Sequence, residues 1–122
     1  MSQVTQAFIR ALVERFPSLA PLLEEHLTDN FGELLPHIFL GDVVRWVLAL
    51  MATARAEESL TAQRELHEFL CRLEDTYAGG NEELQELLSV SFLENLPRSG
   101  EDGAEIRNQL GPNLTKQLRV IG

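Results

Sequence analysis

A chain of 122 residues with 44% hydrophobic side chains suffices for one packed domain, residues 1–122, and is too apolar for a disordered acidic tail. Its 19 acidic against 10 basic side chains leave a net charge of −9, a field that repels phosphate backbones and anionic lipid headgroups, so neither nucleic acid nor a membrane surface is an expected partner. The single cysteine, Cys71, excludes an internal disulfide and any CxxC zinc or redox site, and is expected to be an inert, buried or half-buried thiol.

Helical periodicity begins at once. Val4, Phe8, Leu12 and Phe16 recur every four residues, with Ile9 and Val13 widening the stripe; Ser2 is the expected N-cap and Pro17 the stop. Ser18 is expected to cap a second helix with Leu19, Leu22, Leu23, Leu27 and Phe31 on its apolar face and Gly32 at its end. The stretch "ELLPHIFLGDVVRW", residues 33–46, then sets a histidine, an aspartate, an arginine and the only tryptophan among apolar neighbours. Pro36 starts a turn or short helical segment that delivers Ile38, Phe39 and Leu40 to the core. Gly41 marks a break, and Asp42 is the expected N-cap of a central helix over about 42–56, its carboxylate meeting the free amides of Val44 or Arg45. That helix is apolar almost all round, the pattern of a buried central element, with Trp46 as its anchor and Arg45 in need of an acid or a route to water. His37 is expected to be partly buried and bonded to backbone or an acid.

From Leu60 to Tyr77 a stripe of Leu66, Phe69, Leu70, Leu73 and Tyr77 opposes Arg64, Glu68, Arg72 and Asp75, which are spaced for pairing among themselves. "GGN" at 79–81 stops this helix at Gly79 or Gly80 and starts the next, with Asn81 as N-cap and Glu82 and Glu83 in the first turn. The following helix sends Leu84, Leu87, Leu88 and Phe92 inward; at regular α-helical spacing Val90 and Leu93 point away. Pro97 ends it, "RSGEDG" is a loop, and short helical pieces are expected over Ala104–Leu110 and Asn113–Leu118. No strand alternation or hairpin signal occurs. The expected fold is all-α, a compact bundle of five to seven helices around the central one.

Chemistry is sparse. His26, His37 and His67 fall in no HExxH-type pair, and the adjacent acid pairs point in different directions on a helix. No GxSxG elbow or phosphate-binding glycine loop is present. No catalytic residue, metal or cofactor is therefore expected, the remote alternative being a metal-dependent hydrolase built on His26, His37 and Asp42. Charge is more informative. Residues 57–105 carry 3 basic and 13 acidic side chains, and residues 106–122 carry 3 basic and none acidic. The acidic middle attracts a basic protein and speeds its association. The expected partner face is Glu82, Glu83, Glu86, Val90, Leu93 and Glu94; the competing expectation is a solvated face on a sandwiched helix. The N-terminus has no basic start followed by an unbroken apolar block, so a cytosolic location is expected.

At "ELLPHIFLGDVVRWV", residues 33–47, and "NEELQELLSVSFLENLP", residues 81–97, the chain resembles a family of small acidic all-α bacterial proteins without assigned enzymatic activity. Such proteins are similar to immunity proteins of contact-dependent inhibition and polymorphic-toxin systems. The two motifs cover about a quarter of the chain. The resemblance implies an immunity protein that neutralises a toxin's C-terminal domain, often a basic nuclease. It implies no catalytic residue and does not locate the binding surface. A helical adaptor or regulatory subunit for another basic protein is the alternative.

Overall fold

The computed structural model describes residues 3–121, so the cap expected at Ser2 lies outside the described residues. Six α-helices and a six-residue 3-10 helix form an all-α bundle, with no strand among the described residues. The α-helices are α1 (Gln3–Arg15), α2 (Ala20–Asp29), α3 (Pro36–Ala56), α4 (Leu60–Ala78), α5 (Glu82–Leu87) and α6 (Pro112–Ile121); the 3-10 helix is Ala104–Gln109.

The core is a continuous cluster of aliphatic and phenylalanine side chains. Phe16, Phe39, Phe69 and Phe92 are fully enclosed, and α3 runs through the middle against α1, α2, α4 and the segment after α5. By length and composition alone α3 is also apolar enough to cross a membrane. Eight of its residues are buried in the core, from Pro36 to Ala54.

The first two connections differ from expectation in their caps. A 3-10 turn, Pro17–Leu19, leads directly into α2, so no Ser18 side-chain cap forms. At the far end α2 stops at Asp29, and Gly32 donates its N–H back to the Leu27 carbonyl at 2.7 Å. Phe31, between them, sits at φ +58° in the left-handed region, and its ring is wholly exposed rather than part of the apolar face. Once the chain has reversed, helical spacing no longer says where residue 31 points.

The central helix begins at Pro36 rather than Asp42. Proline suits the first position because its missing N–H is one that no helical carbonyl would accept. Gly41 and Asp42 lie inside the helix, so Asp42 is not an N-cap; it forms an ion pair with Arg45. The energetics explain why the break expected at Gly41 fails. A glycine inside a helix costs about 1 kcal/mol relative to alanine. Its neighbours Phe39, Leu40, Val43 and Val44 are all buried, each worth about 1.5–3 kcal/mol only if the helix runs through. Burial wins. The same continuity turns Ile38 outward, where it is 56% exposed instead of in the core. Trp46 is half-buried and does anchor the helix, packing edge-on to Phe69 at 5.0 Å and Phe16 at 6.5 Å between ring centres.

Ser59 caps α4, its Oγ accepting from the Ala62 N–H at 3.2 Å. Gly80, at φ +83°, supplies the left-handed stop after it. On the outer face of α4 the expected internal pairing gives way to a link between helices: Glu68 takes Arg15 of α1 at 2.5 Å.

Candidate interaction site

Asn81 caps α5 as its sequence position implies, Oδ1 accepting from the Leu84 N–H at 3.1 Å. Glu82 and Glu83 follow in the first turn, where the free amide end of the helix favours acids. Gln85 faces the other way and donates to the Tyr77 carbonyl at 2.9 Å, fixing the rotation of α5 on the end of α4.

Beyond Leu87 the chain leaves regular α-helix. Leu88–Phe92 is a π turn and Leu93–Asn95 a 3-10 turn. A π turn closes its hydrogen bonds over one extra residue, which sets back everything downstream by about 100°, the rotation of one α-helical residue. Leu93, expected on the outer face, is thereby carried into the core and is 1% exposed. It is not part of any partner surface. Val90 stays outside at 45% exposure, and Glu82, Glu83, Glu86 and Glu94 are all exposed. The structure thus retains five of the six expected partner residues on the surface of α5 and the π and 3-10 turns that follow it. None of the five takes part in an ion pair among the described residues.

The inner side of the π turn is polar as well as apolar. Ser89 and Ser91 are buried. The Ser91 hydroxyl hydrogen-bonds to His37 Nδ1 at the start of α3, and the Ser91 carbonyl accepts from Asn95 Nδ2 at 2.8 Å. The second of these bonds satisfies a backbone carbonyl that a regular helix would have paired internally. His37 is itself exposed, and its partner is a hydroxyl rather than backbone or an acid.

His26 is the buried histidine, 3% exposed on α2. Its Nε2 accepts the Leu35 N–H at 3.0 Å, one of the amides at the start of α3, and its ring meets Phe39 edge-on at 5.5 Å. An accepting Nε2 places the ring proton on Nδ1. His26, His37 and Asp42 therefore have separate employments: capping α3, bonding Ser91 and pairing with Arg45. Among the described residues no three His, Cys, Asp or Glu side chains are grouped to hold a metal ion. Cys71 is exposed, contrary to expectation, with Sγ 3.5 Å from His67 Nε2 one turn away on α4.

One functional-looking acid escaped the sequence pattern altogether. Glu74 on α4 caps α6: its carboxylate accepts from the Asn113 and Leu114 backbone N–H groups at 3.0 Å each and from Asn113 Nδ2 at 2.7 Å. Burial pushes its pKa upward, but the Leu114 and Asn113 hydrogen bonds outweigh that and hold it below the ordinary value. Gly111 makes room for the arrangement, since a Cβ there would lie 2.5 Å from Glu74 Cγ. The signal available in the sequence was "GPN", a proline-led helix start without an acid of its own.

Residues 9–120, nearly the whole chain, match the family described as Domain of unknown function (DUF7674). The chain belongs to this family. Both sequence motifs, 33–47 and 81–97, fall within the matched DUF7674 region. No curated protein matches the chain, and no solved structure does.

Proposed function

We propose that this DUF7674 chain is a noncatalytic protein-binding domain that acts in the cytosol and holds a basic protein partner against its α5–π segment. On the resemblance of its two motifs to immunity-type proteins, the partner is a toxin domain that the complex neutralises. The observation that carries this is the strip of Glu82, Glu83, Glu86 and Glu94 around exposed Val90, with no cation of the described chain paired to any of them. Unpaired like charges on one surface repel each other, a cost that an incoming basic surface converts into attraction and faster encounter.

The test is co-expression with the product of the adjacent gene, followed by association kinetics of the purified pair. Reversing charge with Glu82→Lys, Glu83→Lys and Glu86→Lys should lower the on-rate at low salt by about tenfold or more and change the off-rate less. An unchanged on-rate removes this face. A stable complex with a basic partner that has no toxic activity identifies the chain as a helical adaptor instead.

A further inference from the structure

A second surface has what the acidic strip lacks, an aromatic pocket. Between α2 and α3 lies an open groove of about 640 Å³. Leu22, Ile38 and Trp46 give it an apolar lining, and Glu25, Asp29 and Asp42 an acidic one. The only cation among the lining residues, Arg45, is engaged by Asp42, while Glu25 and Asp29 have no ion pair among the described residues. Trp46 is held by Phe16 and Phe69 on its core side, so the part of its ring that meets the groove is fixed in place. Asn30 also lines the groove, and the next residue is Phe31, wholly exposed at φ +58°. A bulky side chain held in that backbone region carries strain, and here no burial offsets it.

We propose that this groove anchors a basic, apolar segment of the partner protein, with an arginine as the inserted residue. The occupant follows from charge and shape together. The three acids and one arginine of the lining leave a local charge of −2, which repels a phosphate or an acidic peptide. An arginine stem packs on Ile38, its guanidinium lies on the Trp46 ring, and Glu25 and Asp29 accept its N–H groups. Interfaces take most of their affinity from such enclosed aromatic and arginine contacts, whereas exposed acids mainly set the encounter rate. The proposal rests on the reading that the partner is a basic protein and adds where that partner is anchored.

Trp46 is the chain's only tryptophan, so its fluorescence reports groove occupancy directly. The probe is a synthetic amphipathic peptide of leucine and arginine, with a leucine–glutamate peptide as control. The arginine peptide should shift Trp46 emission saturably and the glutamate peptide should not. Ile38→Asp, a change at an exposed position, and the pair Glu25→Lys and Asp29→Lys should each weaken that response by about tenfold, with far-UV circular dichroism confirming the fold. Lysine substitution at Glu82, Glu83 and Glu86 should leave it within about twofold. No emission change, an equal response to both peptides, or a response untouched by Ile38→Asp would overturn the groove. Those results leave the acidic strip standing if strip reversal still slows association of the natural partner. An on-rate insensitive to strip reversal, beside a groove response lost in Ile38→Asp, discards the strip and keeps the groove.

Discussion

Helix α3 and the α5–π segment cross in the middle of the bundle, and each does the opposite of what its local sequence suggests. In α3 a Gly-Asp pair that reads as a stop is absorbed into an unbroken helix of 21 residues. In "EELQELLSVSFLENL" an apparently regular helix is rewound after six residues into a π turn and then a 3-10 turn. The two are tied together by the His37–Ser91 hydrogen bond. The lesson is about magnitudes. Local preferences of about 1 kcal/mol yield wherever a different path buries one more large side chain. At Gly41 the gain comes from keeping the helix straight; at residues 88–92 it comes from widening it, which brings Leu93 inside beside Phe92.

The largest loss of stability is expected at Leu93. As a core residue, Leu93→Ala should lower unfolding free energy by about 2–5 kcal/mol, while Val90→Ala, three residues earlier and exposed, should stay within about 0.5 kcal/mol. Urea titration of both variants decides it, since a regular helix would make Leu93 the silent one. The start of α3 comes next in size. His26→Leu fills the space but leaves the Leu35 N–H without its acceptor, at a cost of about 1–3 kcal/mol, read as a lower midpoint in the same titration.

The third test concerns α6, which packs on α4 and on the same π and 3-10 turns. Because the folded-state pKa of Glu74 is lowered, its contribution is present above the unfolded carboxylate value of about 4.3 and is lost as pH falls through the lower folded value. Amide exchange in α6 should therefore accelerate in that acid window. Glu74→Gln should already loosen α6 at neutral pH, by about 1 kcal/mol, and flatten the acid response. A variant whose acid profile matches the parent's would show that Glu74 is not the group responsible. The smallest expected effect has the opposite sign. Gly41→Ala meets only Asn95 Nδ2 at 3.9 Å, so it should raise stability by about 0.5–1 kcal/mol in thermal melts if residues 36–56 form one continuous helix. A loss of stability would mean that the glycine is needed there.

Much of the fold was legible because its signals are local or periodic. The apolar stripe of α4, that of α1 apart from Val4, which is exposed, the Asn81 cap, the glycine stop at 79–80 and the helical C-terminal pieces depend on neighbours within one or two turns. The candidate site was legible only in part. Glu82, Glu83, Glu86, Val90 and Glu94 are exposed as expected, since they precede or sit within the rewound turn, or fall outside it on either register. Leu93 was misplaced by a change in helical pitch that no residue type announces. Phe31 was assigned to the interior by helical spacing carried past the end of α2, and Ile38 by its place in an apolar run, yet both are exposed, Ile38 on the lining of the α2–α3 groove. Asp42 was assigned to a helix start that does not exist.

By itself the sequence determined an all-α chain, its acidic character, most helix limits, and membership of a family recognisable over nearly its whole length. Tertiary structure alone decided which acid caps which helix, which of Val90 and Leu93 is buried, and which side chains meet in a groove. The physical reason is range. Capping by Glu74 across 39 residues, capping by His26 across 9, and the His37–Ser91 bond across 54 depend on helices packed side by side. No spacing within one helix encodes that.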